Sequence, residues 1–149
     1  MLARPSTDQV LEAIANDLRD VVAPACTDER ATVLLGQVDQ LLRRLARRAA
    51  HEIAWMHEEM AAIEAAVDGD TDPATAEALA AFRAAPADSL HLADVVDRYS
   101  LASNALSCAM EAALAAGETD RTAELRALLE ARVATEMTIL GQLDLVGRG

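Results

Sequence analysis

Apolar residues fall at Val38, Leu41, Leu42, Leu45, Ala49, Ile53, Met56, Met60, Ile63 and Val67, mostly three or four positions apart. That spacing keeps one face of an α-helix apolar. It predicts a single helix over 28–67, roughly 60 Å long at 1.5 Å per residue. The same reading divides the rest of the chain into four shorter helices, over 6–23, 74–85, 89–116 and 120–146. The first is expected to bury Val10, Leu11, Ile14, Leu18, Val21 and Val22. Ser6 and Gln9 form a capping-box pattern at its start, and Pro24 is expected to stop it. Thr27 is the expected cap of the long helix. Gly36 inside that helix marks a bend or a close crossing.

Asp68-Gly69-Asp70-Thr71-Asp72-Pro73 is the clearest loop and the only plausible hinge. Gly69 suits a left-handed helix end, Thr71 or Asp72 the next cap, and Pro73 the first turn. The third helix has only Leu79 and Phe82 as large anchors. Asp88 or Ser89 should cap the fourth, which carries two apolar stripes. The main one is Leu92, Val95, Val96, Tyr99, Leu106, Met110 and Leu114; the second is Leu101, Ala105, Cys108 and Ala112. A helix apolar on both sides belongs at the centre of a bundle or at a dimer contact. The fifth helix, capped by Thr119, has the stripe Leu125, Leu128, Leu129, Val133, Ile139, Leu140 and Leu143. The expected architecture is an all-α helical bundle of about five helices forming one domain over 1–149.

Composition strengthens the helical reading. Apolar residues make up 52% of the chain and aromatics 2%, so alanine replaces the β-branched and aromatic residues that strands prefer. Small side chains let helices approach closely but bury little area each, and a partner chain could supply the missing burial. The net charge of −12 argues against nucleic-acid binding, because a polyanion repels such a surface. Every basic residue is Arg, which with the abundant alanine suggests a GC-rich bacterial genome. Cys26 and Cys108 form no metal or redox motif and are expected as reduced thiols. The start lacks the apolar core of a signal peptide, and no apolar run approaches the ~20 residues of a membrane span. A soluble, cytoplasmic protein is the expectation.

Three constellations carry candidate chemistry. His51-Glu52-Ile53-Ala54-Trp55-Met56-His57-Glu58-Glu59 invites a metal reading, yet Glu52 and His57 point away from each other, and His51 and Glu58 align two turns apart, towards solvent. Di-iron bundles use Glu-x-x-His pairs aimed inward, so no metal and no cofactor are expected. The second is the flank Arg44, Arg48, Glu52, Trp55 and Glu59. Helix-surface ion pairs beside a half-buried Trp are its plainer explanation; an interaction patch is the other, since Trp and Arg are enriched at binding hot spots. The neighbouring Arg43, Arg44, Arg47 and Arg48 could also hold an acidic partner, a phosphate or a carboxylate. The third is Arg132 and Glu136, an i,i+4 pair inside the apolar arc of the fifth helix. It should fix register or line a pocket, which predicts that Glu136→Ala destabilises more than Glu58→Ala. Ser100, Ser103, Ser107 and His91 form no nucleophile motif.

The opening Arg4-Pro5-Ser6-Thr7-Asp8-Gln9-Val10-Leu11-Glu12-Ala13-Ile14, running on to Val21-Val22-Ala23-Pro24-Ala25, resembles the start of an uncharacterised family of small bacterial helical proteins. In that family an Arg-Pro-(Thr/Ser) start leads into a Leu-Leu-Glu-Ala-Val helix closed by a Leu-Pro-Ala turn. Its members tend to be encoded beside aminoglycoside-phosphotransferase-like proteins and acyl-CoA dehydrogenases. The resemblance spans roughly the first fifth of the chain, and the family's Pro-Arg-Tyr-like ending is replaced by Leu145-Val146-Gly147-Arg148-Gly149. It brings no catalytic residues; it implies an accessory or binding protein for a kinase-like partner. Taken together, the sequence points to a non-enzymatic interaction protein, a homodimer that binds a partner protein. The alternative is a small-ligand or metal-binding bundle using His51, Glu52 and His57, or Arg132 and Glu136.

Overall fold

The computed structural model describes residues 4–141. The protein is an all-α bundle. Its helices are α1 (Thr7–Asp17), α2 (Glu29–Val67), α3 (Pro73–Ala84), α4 (Leu92–Ala116) and α5 (Thr119–Leu140). No strand occurs among the described residues.

Most boundaries follow from local chemistry. The capping box forms at Ser6, whose amide donates to Gln9 Oε1 at 3.1 Å. Pro24, however, does not stop the first helical segment. After α1 the chain widens into a π-turn over Leu18–Val22, and Ala23–Ala25 continue as a helical turn. Proline lacks an N–H and its ring crowds the carbonyl four residues back; the wider turn just before it accommodates both. The cap of α2 is Asp28 rather than Thr27, with Asp28 Oδ1 accepting from the Ala31 amide at 2.9 Å. Gly36 lies within the uninterrupted helix. Asp72 caps α3, accepting from the Thr75 amide at 2.9 Å and its hydroxyl at 3.0 Å. Those bonds, the backbone one first, hold the Asp72 carboxyl below the usual carboxylate range and satisfy the fully buried Thr75. Helix α4 begins at Leu92, three residues after its expected start, because Ser89 bonds the Asp94 side chain and the His91 amide instead of opening the helix. Gly117 ends it at φ +71. Helix α5 stops at Leu140, where Gly141 takes φ +67. Its expected continuation over 142–146, with Leu143, lies outside the described residues.

The chain divides into two compact units. One runs up to Glu52 and resumes at Glu136; the other is Ile53–Thr135. The division falls inside α2 and α5 rather than at the Asp68–Asp72 loop, so both helices contribute to both units.

The second unit holds the main core: Met60, Ile63 and Val67 of α2, Leu79 and Phe82 of α3, Leu125 of α5 and a face of α4. That α4 face is Val95, Ala102, Ala105, Leu106, Ala109 and Ala113. Members of both expected stripes face inward: Val95, Leu106 and Ala105 are buried, and Tyr99, Met110, Leu101 and Cys108 pack against the core. Leu92, Val96 and Leu114 of the expected main stripe are exposed, and alanines take the interior, since only a methyl group fits where helices approach closely. In the first unit, Ala15, Ala46 and Ile139 are buried, but Val10, Ile14, Val21 and Val22, expected inside, are exposed, as are Val38, Leu41 and Leu45 of α2. In α5, Leu129 and Val133 are likewise exposed. No described helix is long and apolar enough to cross a membrane.

Candidate functional site

Helical periodicity sets out the candidate flank of α2, and the structure assigns its members to different units. Arg48 and Glu52 form the expected i,i+4 ion pair in the first unit. Arg48 also reaches Glu136 Oε2 at 3.5 Å. Trp55 and Glu59 belong to the second unit. Arg44 is half-buried, and its buried Nε has no hydrogen-bond partner.

Arg43, Arg44, Arg47 and Arg48 of α2 do not form an open anion-binding group, because three of them are engaged within the first unit. Arg43 pairs with Asp39 at 2.8 Å and donates to Asn16 Oδ1 of α1 at 3.0 Å. Arg47 donates from Nε to the Ile139 carbonyl at 2.8 Å and from Nη2 to the Leu140 carbonyl at 3.2 Å. These are terminal carbonyls of α5, which lack partners inside their own helix. Arg48 has the two glutamates.

Arg132 and Glu136 are not an inward pair. The Glu136 side chain is 55% exposed, and each residue bonds a different partner. One helical turn separates them, enough to turn Glu136 out of the apolar arc while Arg132 stays at its edge. Arg132 Nε donates to Glu59 Oε1 at 2.6 Å, and its Nη2 to Ser103 Oγ at 3.1 Å. The other oxygen of Glu59 accepts from Tyr99 OH at 2.7 Å. The Arg132 guanidinium also lies 5.3 Å from the centroid of the Tyr99 ring. Thus α2, α4 and α5 each supply a member of one polar cluster, with Tyr99 and Ser103 a helical turn apart on α4. Neither Tyr99 nor Ser103 stands out by spacing as a partner of Glu59 or Arg132. The signal for them was the charged Arg132 on an apolar stripe, which required a partner.

A cleft of about 210 Å³ adjoins the cluster, lined by Trp55, Glu58, Glu59 and Ala62 of α2 and by Leu128 and Arg132 of α5, among others. That is below the roughly 300–1,000 Å³ of small-molecule sites. Both Glu59 oxygens are engaged and Arg132 balances the charge, so the cluster suits locking three helices together better than moving protons.

Burial, with the bond to Glu59, raises the Tyr99 phenol from its ordinary 10.0 to about 12. A raised folded-state pKa means stability that is complete below the ordinary value and lost as pH climbs through the raised one. Tyr99 is the only tyrosine in the chain, so its ultraviolet ionisation signal is unambiguous. The titration midpoint is expected near 12 and should move down in Glu59→Gln, which removes the negative charge beside the phenol. A native midpoint at the ordinary value would contradict the burial and the bond.

The remaining candidates contribute little chemistry. His51 is exposed; His57 is half-buried, with its Nε2 buried and lacking a hydrogen-bond partner. Among the described residues no group of three His, Cys, Asp or Glu is placed to hold a metal ion. Ser100 and Ser107 donate to the carbonyls of Val96 and Ser103 one turn back, the usual bond of a helix-interior serine. Cys26 and Cys108 are free thiols, both half-buried. No family model, no curated protein and no solved structure matches the chain.

Proposed function

We propose that this chain is a non-enzymatic interaction protein that works as a homodimer and docks a partner protein. The observation that carries this reading is the distribution of apolar side chains. Among the described residues, more large apolar side chains are exposed than are buried, and seven of the sixteen buried apolar residues are alanine. A monomer with so little large-residue core gains limited burial energy, while isolated domains rarely leave extended apolar surface open. A partner that covers this surface resolves both. The polar clusters support the same reading, since their charges are satisfied within the chain. The N-terminal resemblance gives the partner class, a kinase-like protein.

Light scattering of the purified chain tests the homodimer. The expected mass across micromolar concentrations is twice the 15.8 kDa of one chain. A strict monomer throughout that range would remove the self-association from the reading and leave the heterologous partner as its remaining part.

A further inference from the structure

We infer that the two-fold contact of this homodimer is formed by one face of the α1–α2 hairpin, which closes into a four-helix bundle with a second copy. The inference rests on the homodimer reading and deepens it by naming the surface. Val10 and Ile14 of α1 are 40% and 44% exposed; Leu34, Val38, Leu41 and Leu45 of α2 are 58%, 42%, 54% and 41% exposed. The α2 residues follow steps of four, three and four. That is the narrow seam by which a helix meets another helix, not the broader stripe of one lying on a core.

Their placement makes one surface. In the hairpin, Ala15 and Ala46 are buried, and Leu11, Leu18, Leu35 and Leu42 are half-buried beside them. At about 100° per residue, both exposed sets lie roughly 90° from these contact residues. Because α1 and α2 run in opposite directions, the two rotations carry both sets to the same side of the hairpin. All six side chains on that side remain at least 40% exposed.

Two arguments select a second copy as the occupant. The first is charge. Residues 53–135 hold fifteen of the 25 acidic residues and five of the 13 arginines, a net −10, which leaves −2 for the rest of the chain. Two copies meeting through the second unit would bring together strongly like-charged surfaces; through the hairpin they would not. A two-fold axis parallel to the helices lays α1 of one copy on α2 of the other. Such a contact is self-complementary, the same surface serving on both copies. The second argument is area. The six side chains expose roughly 500 Å² per copy, more than half of the roughly 800 Å² per partner of a standard stable interface.

The test compares wild type with Leu41→Ala, the double variant Leu34→Glu/Leu41→Glu, and Leu114→Glu on α4, which is 60% exposed. Sedimentation gives the dimer dissociation constant and far-ultraviolet circular dichroism checks helicity. Leu41→Ala is expected to weaken the dimer tenfold or more, and the double variant at least a hundredfold, both with helicity retained. Leu114→Glu should leave it unchanged. A dimeric wild type whose constant moves with Leu114→Glu but not with Leu41→Ala overturns the hairpin surface while leaving the homodimer intact. A monomeric wild type overturns both. Should the double variant unfold, Leu41→Ala decides alone, since truncating an exposed side chain spares the fold.

Discussion

Phe82→Ala should cost about 3–5 kcal/mol of folding stability, the range for emptying a fully buried aromatic site. Phe82 is 2% exposed and sits in the core formed with Met60, Ile63, Leu106 and Leu125. It is the chain's only phenylalanine, and α3 carries just one other large anchor, Leu79. The alanines that line much of this core cannot move in to fill the cavity. A second loss adds to the first. The Arg98 guanidinium lies 4.4 Å from the Phe82 ring centroid, and its buried Nε has no hydrogen-bond partner. The ring face is what compensates that cation, worth about 0.5–2 kcal/mol. Phe82→Leu keeps most of the volume but not the π-face, and should cost about 1–2 kcal/mol. Urea unfolding read by circular dichroism separates the two, because domains of this kind hold only about 5–15 kcal/mol in total. An alanine variant as stable as wild type would mean that Phe82 is not at the centre of the core.

The anchor role of Phe82 was legible in the sequence, and so, among the described residues and to within a few residues at their ends, was the order of the helices. Periodicity of large side chains over many turns, together with proline, glycine and capping residues, defines helices whatever their neighbours. Two kinds of error share a physical origin. Hydropathy weights the large residues, so it includes Leu92, Val96 and Leu114 in a stripe of α4 although they are exposed, and passes over Ala102, Ala109 and Ala113, which are buried. In alanine-rich helices the close-packed face is marked by what is small. Pairing between helices was the other gap. Spacing sets Glu59 beside Trp55, but its partners Tyr99 and Arg132 lie 40 and 73 positions away. Spacing within a helix finds Arg48–Glu52; it has no access to a bond that requires three helices to meet. The same limit hid the role of Arg47, whose acceptors at Ile139 and Leu140 are carbonyls with no side-chain signature.

That cluster reorders the expected effects of removing glutamates. Glu136→Ala, which the sequence ranked above Glu58→Ala, now falls beside it. Glu136 is an exposed residue 3.5 Å from Arg48, Glu58 is exposed as well, and each should change stability by no more than about 0.5 kcal/mol. Glu59→Ala is different. Its side chain is 18% exposed and that of Arg132 30%, so the truncation strands a partly desolvated guanidinium and the Tyr99 hydroxyl together. Breaking a fully buried pair costs about 3–5 kcal/mol; the remaining solvent access here lowers the expectation to about 2–3 kcal/mol. Glu59→Gln keeps an acceptor for one donor but no charge for Arg132, and should cost about 1–2 kcal/mol. Because the groups act as a unit, Glu59→Ala and Arg132→Ala should be non-additive: once Glu59 is gone, Arg132→Ala removes a cation that has already lost its counter-charge. A double-mutant cycle measured by urea unfolding should therefore give a coupling energy above about 1 kcal/mol. Additive losses, or a Glu59→Ala variant no weaker than Glu136→Ala, would show that the three helices are not held together through this carboxylate.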